Sequence, residues 1–276
     1  MHFAVSTLAC PDWTLRQIVD AFSAHSIDGI ELRGLGPEID VTRTPEFTTD
    51  LDTTLALLHQ AKLQVPCFGT SVTLVSPGPE RWQAMLDEAH RYAELARRTQ
   101  TPYARIFGGA AAMGVSEEEA VTMARRHLRQ VIKICKPRGL TPLLETHNTL
   151  ATSLAMRRML GEFDPAEVGV LWDIEHTTRA GESPSDVTQT LGQWIRYVHF
   201  KDSVLDPEVA GERKKHARLI GEGDLPLMDA LAALSAINYG GWISLESEKR
   251  WLPDTTPEPE VAIPHFAAYM RSQSGK

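Results

Sequence analysis

Long apolar runs, basic charge and cysteine are all scarce in this chain, and each shortage removes a class of protein. No stretch of the 276 residues approaches the roughly 20 consecutive apolar positions a membrane-crossing helix needs, so no membrane partner is expected. Lys and Arg number 28 against 36 Asp and Glu, a formal net charge of -8. A phosphate backbone demands a basic face, so nucleic acid is not expected as a partner, although a locally basic groove stays open. The three cysteines, Cys10, Cys67 and Cys135, are odd in number, far apart and without a CxxC spacing. Reduced thiols and a cytoplasmic location are the expectation. Thr7-Leu8-Ala9-Cys10 has the look of a lipoprotein cleavage site, but no basic segment precedes it and its apolar run is too short. No GxGxxG follows the first strand, and there is no low-complexity segment and no sequence repeat.

What remains is an ordinary globular composition, 42% apolar and 23% charged. Apolar periodicity reads as strands alternating with helices. Phe3 to Thr7 is a first strand, and Pro11-Asp12 opens a helix carrying Leu15, Ile18, Val19 and Phe22. Gly29 to Gly34 is a second strand, with a helix near Asp52 to Lys62. Gln64 to Gly69 begins a third, ending at Ser71-Val72. The helix from Pro79 to about Arg98 has Trp82, Met85, Leu86, Ala89, Ala93 and Leu95 on its apolar face. Tyr103 to Phe107 is a fourth strand. Ser116-Glu117-Glu118-Glu119 reads as a capping box on a helix running to about Lys136, stopped by Pro137-Arg138-Gly139. Later helices are expected near Ser153 to Leu160, Ser185 to Leu191, Leu227 to Ile237 and after Pro257, with Pro264 kinking or restarting the last. Eight strand-then-helix units with no linker predict a single-domain (β/α)8 TIM barrel over residues 1–276. An open, doubly wound sheet is the alternative.

The last four strands share one feature. Leu143-Leu144-Glu145, Leu171-Trp172-Asp173, Tyr197-Val198-His199 and Ser244-Leu245-Glu246 each end an apolar run in a residue able to bind a metal. Acids and imidazoles at the ends of buried strands are costly unless something pairs them. In a barrel these positions ring the mouth, where chemistry is placed. Three carboxylates and an imidazole suit Mn²⁺, Mg²⁺ or Co²⁺, with Zn²⁺ also compatible. The competing reading of each acid alone is a cap on the following helix.

The order and spacing of several motifs extend this. They are Ser6-Thr7-Leu8-Ala9-Cys10-Pro11-Asp12-Trp13, Gly29-Ile30-Glu31-Leu32-Arg33, Leu144-Glu145, Asp173-Ile174-Glu175-His176, His199-Phe200-Lys201-Asp202, Gly221-Glu222-Gly223-Asp224 and Leu245-Glu246. Carrying them, the chain resembles, end to end, the sugar phosphate isomerase/epimerase group of the xylose isomerase-like TIM barrel superfamily. The resemblance implies a carbohydrate substrate and one divalent cation on Glu145, Asp173, His199 and Glu246. It further implies that Glu145 and Glu246 remove and return a proton beside a carbonyl, through an enediolate. Epimerisation and aldose–ketose isomerisation both stay open.

Among supporting residues, His176 and Arg218 match substrate-contacting positions of that group; for His176 a surface-loop role is the alternative. Lys201 and Arg105 are further candidates for substrate binding. With His147, Glu31 and Arg33 they are expected to point inward, where buried ion pairs would also account for them. Arg213, Lys214, Lys215 and His216 form either a solvated loop or an anion-attracting lid. Trp13, Phe107 and Trp251 either wall the pocket or pack. Competing functions are a keto-inositol dehydratase, a non-catalytic sugar-binding barrel and an endonuclease IV-like repair enzyme. For the last, Thr70-Ser71 and Phe107-Gly108 stand where extra histidines are needed. A homo-oligomer is left open.

Overall fold

Strands and helices alternate along the whole chain in the computed structural model, which describes residues 1–76, 78–110, 115–205 and 217–274. The strands are β1 His2–Ser6, β2 Gly29–Glu31, β3 Cys67–Thr73, β4 Tyr103–Phe107, β5 Thr141–Glu145, β6 Gly169–Asp173, β7 Ile195–Phe200 and β8 Trp242–Leu245. The helices are α1 Leu15–Ala24, α2 Leu51–Ala61, α3 Pro79–Thr99, α4 Glu117–Cys135, α5 Ser153–Leu160, α6 Ile174–Arg179, α7 Pro184–Leu191, α8 Leu227–Ala236 and α9 Pro259–Ser274. The strand order is β2-β1-β8-β7-β6-β5-β4-β3. With a helix after each strand, this is the topology of a (β/α)8 barrel.

The chain divides into two compact units, Met1–Gln64 with Val198–Lys276, and Val65–Tyr197. In the first, β1 runs parallel to β8, His2 opposite Trp242, and to β2, Ala4 opposite Gly29. The Glu246 amide donates to the Phe200 carbonyl at 3.1 Å, setting the end of β8 beside the end of β7. In the second, β3, β4, β5 and β6 are parallel neighbours. The Val170 amide donates to the Trp194 carbonyl just before β7. Strand β7 itself crosses the division.

Strand residues such as Leu143, Leu144, Val170, Leu171, Trp172, Val198, Ile243 and Leu245 are all buried. This is why the strands read as continuous apolar runs: a parallel sheet covered by helices has no solvent face. Helix α4 shows the complementary pattern. Ser116 accepts from the Glu119 amide while the Glu119 side chain accepts from the Ser116 amide. Ala120, Ala124, His127, Leu128, Val131 and Cys135 then form its buried stripe.

Several expectations are corrected. Helix α1 opens at Leu15, not Pro11-Asp12, because Thr14 and Gln17 form the capping box. Strand β2 stops at Glu31, and β3 runs from Cys67 to Thr73 with a bulge between Gly69 and Thr73. Met85 and Leu86 are half-buried, while Glu88 and Tyr92 share the buried face of α3. Helix α9 continues through Pro264, which stands in its second turn. Only the Glu260 carbonyl loses a donor there, a loss the packed helix absorbs. Arg213, Lys214, Lys215 and His216 lie outside the described residues.

Candidate active site

The first unit contributes a buried ionic cluster. Glu31 ends β2, His199 lies in β7, Lys201 follows β7, and Glu246 follows β8; all four are buried. His199 Nε2 is 3.1 Å from each Glu31 oxygen, and its Nδ1 is 3.2 Å from Glu246 Oε1. The Lys201 ammonium donates to Glu246 at 2.5 Å and to Glu248 at 3.4 Å. Burial would push the Glu246 carboxyl up, but His199 and Lys201 outweigh it and hold it well below the usual carboxylate range. Burial would push the His199 imidazole down, but Glu246 and Glu31 carry it well above its ordinary value. Burial likewise opposes and His199 overcomes at Glu31, which is lowered. The pairing of Glu31 with His199 joins residues far apart in sequence. Its one clue is that Gly29-Ile30-Glu31 ends a strand in an acid, as the later strands do. Glu248 had only its i, i+2 relation to Glu246 to mark it.

The second unit contributes acids, a guanidinium and two imidazoles. Glu145 ends β5, and Arg105 Nε from β4 lies 3.3 Å from its Oε2, with both side chains buried. Arg105 also donates to the Thr70 carbonyl at 3.0 Å, and its guanidinium lies 3.9 Å from the Phe107 ring centroid. Asp173 ends β6, its backbone amide held by Thr146 Oγ1 at 2.8 Å. Asp173 Oδ1 accepts from the His176 amide at 3.2 Å, so the helix-cap reading is correct for that oxygen on α6. One donor atom of Asp173 and one of Glu145 lie within 4.8 Å of each other. Glu145, His147 and His176 meet the same distance. The His147 and His176 rings are half-buried and pack edge to face, centroids 4.4 Å apart, with His147 also 5.1 Å from Phe107.

Arg218 is placed differently. It is exposed, on a two-residue antiparallel ladder with Asp202–Ser203, and donates to its neighbour's Ala217 carbonyl at 3.1 Å. Asp202 itself is buried and accepts from the amides of Ser203, Gly221, Gly223 and Leu225. A Cβ on Gly223 would fall 2.2 Å from Asp202 Oδ1, and Gly221 has φ +87°. The Gly221-Glu222-Gly223-Asp224 motif therefore serves close backbone approach to a carboxylate. Trp13 is half-buried and Trp251 is 49% exposed.

The donor chemistry fits a divalent cation. In the second unit Glu145 and Asp173 bring donor oxygens within 4.8 Å of each other with one guanidinium, Arg105, on Glu145, and hard oxygen donors with an imidazole are what such an ion takes.

The chain matches the xylose isomerase-like TIM barrel family over residues 19–273, and it belongs to that family. It is 25% identical over 158 residues to an inosose dehydratase of Geobacillus kaustophilus, covering 53% of this chain and 49% of that protein. The chain thus spans about half, or less, of the length of the curated relatives it matches. Among solved structures, a 3-keto-D-glucoside 4-epimerase from E. coli superposes with a TM-score of 0.78 at 16% identity, covering 99% of each chain. The IOLI protein with a bound zinc atom superposes with a TM-score of 0.82 at 18% identity, covering 99% of this chain and 97% of that one. No helix among the described residues is long and apolar enough to cross a membrane.

Proposed function

We propose that the protein is a metal-dependent lyase that dehydrates a cyclic keto-polyol of the inosose class. Glu145, Asp173, His199 and Glu246 are proposed to hold the divalent cation, as their equivalent strand-end positions suggest. A cation there would supply Lewis acidity to a substrate carbonyl, acidifying the neighbouring C–H. The protein side chains do the rest. Glu145 and Glu246 are the proton carriers, able to take the proton from that carbon. The next carbon then loses its hydroxyl, which leaves as water once protonated.

The observation that favours dehydration over epimerisation is the likeness to inosose dehydratases. Elimination also needs a donor to the leaving hydroxyl, and the His147–His176 pair beside Glu145 can supply one. Imidazole is the side chain whose ordinary pKa suits that task near neutrality. The inosose dehydratase relatives support the same substrate class. Lys201 and Arg105 pair with Glu246 and Glu145 and are proposed to present N–H groups to substrate oxygens. Arg218 is proposed as an outer contact for the substrate.

Epimerisation is the second reading, favoured by the two glutamates ending β5 and β8, and it predicts a different outcome in one assay. The metal-supplemented protein is incubated with a keto-inositol and with a ketose panel in D₂O. Dehydration predicts a keto-inositol product lighter by one water; deuterium uptake beside the carbonyl of a ketose, without loss of water from any substrate, sinks it.

A further inference from the structure

Buried imidazoles take one of two tautomers, and a metal ligand must present the nitrogen that lacks the proton. His199 is fully buried in β7, and its Nε2 faces both oxygens of Glu31 at 3.1 Å. Its other nitrogen, Nδ1, faces Glu246 at 3.2 Å. Each carboxylate only accepts, so in the metal-free chain both ring nitrogens carry hydrogen, Nε2 toward Glu31 and Nδ1 toward Glu246. Glu246 is itself a proposed ligand and Glu31 is not, so a cation held beside Glu246 would take the place of the Nδ1 proton and leave Nε2–H on Glu31.

We infer that Glu31 is a positioning residue for the metal centre, holding the Nε2–H of His199 so that Nδ1 is the ligand atom. This rests on the proposed metal-dependent reading, and it reaches beyond the four strand-end ligands to a fifth residue on β2. Metal-ligating histidines commonly donate their second N–H to a carboxylate, which fixes ring orientation and raises ligand basicity. Here the carboxylate comes from the edge of a three-residue strand whose every residue is buried. The two Glu31 contacts are equal in length, so the ring cannot rotate about its own axis without breaking both. The bland alternative, a structural ion pair that merely neutralises a buried acid, predicts no effect on which nitrogen binds metal.

The test uses the full chain stripped of metal and titrated with Zn²⁺ or Mn²⁺ against a competing chelator. Glu31→Ala is expected to weaken affinity about 10- to 100-fold. Glu31→Gln keeps an oxygen that accepts the Nε2–H, so its affinity should lie closer to wild type than to E31A. Should E31A fail to fold, E31Q and the spectra of the wild type carry the test. Nitrogen-15 histidine spectra of the Zn²⁺-loaded wild type should show His199 protonated at Nε2 and ligated at Nδ1. Ligation at Nε2, or wild-type affinity in E31A, overturns the proposal. If the wild type itself takes up no divalent ion, the metal reading fails separately. The Nε2–H signal of the metal-free chain still decides the role of Glu31: present in wild type and lost in E31A supports it, unchanged in E31A overturns it.

Discussion

The unit built on β1, β2, β8 and the end of β7 and the unit built on β3 to β6 carry the same strand-end signature in different surroundings. In the first, His199 touches two glutamates and Lys201 touches two carboxylate oxygens, so the buried Glu31 and Glu246 each meet a cation within the protein. In the second, Glu145 meets one guanidinium at a longer 3.3 Å, and half-buried imidazoles lie alongside. The first is organised around paired buried charges; the second sets two half-buried imidazoles beside a buried acid. Similar strand-end signals thus end in one half of paired charges and one half with imidazoles beside its acids, because neighbouring strands supply different partners.

Variants can sharpen or erase this contrast. The largest effect is expected at the two proposed proton carriers. Glu145→Gln and Glu246→Gln should each lower the turnover of the folded protein by roughly a thousandfold. Retained turnover in either would remove that residue from proton transfer. Next comes Lys201→Met in the metal-free chain, which leaves buried Glu246 short of a partner and should cost about 3 kcal/mol in urea unfolding. Arg105→Met should cost less, about 2 kcal/mol, given its longer contact. Equal losses would dissolve the difference between the halves.

His147→Phe or His176→Phe should slow water loss by about a hundredfold. Deuterium exchange beside the carbonyl should survive both; if it falls in parallel, the imidazoles do not act as the leaving-group acid. The smallest effect is a pH dependence away from the site, at His127. Its ring stacks on Trp82 at 3.7 Å, and its Nδ1–H donates to the Leu74 carbonyl at 2.6 Å. Burial, reinforced by Arg126, lowers its pKa below the ordinary 6.5. The unfolded chain then binds a proton that the native state refuses. Stability should therefore be full above the ordinary value and fall as pH drops from 6.5 toward the lowered native one. His127→Phe should flatten that slope in urea titrations between neutral and mildly acidic pH.

Local signals read well where they are self-contained. The Ser116 and Glu119 box sets the start of α4, and the short apolar runs ending at Glu145 and Asp173 coincide with β5 and β6. They read less well where neighbours compete. Pro11-Asp12 looked like a helix start, yet Thr14 has the partner at Gln17 that completes the cap. Pro264 is a breaker in isolation, but α9 runs on because buried Ile263, Phe266, Ala267 and Met270 anchor the helix on both sides of it.

By itself, the sequence determined the alternation of strands and helices, the Ser116–Glu119 capping box and the placing of acids and imidazoles at strand ends. Each of these depends on residues within a turn or two, where periodicity and local hydrogen bonding suffice. Only the tertiary structure decided which acid faces which cation: Glu31 on His199, Glu246 on Lys201, Glu145 on Arg105. Those pairings join strands up to 168 residues apart. The energy that selects them, the desolvation of buried charge, exists only once the sheet has closed over them.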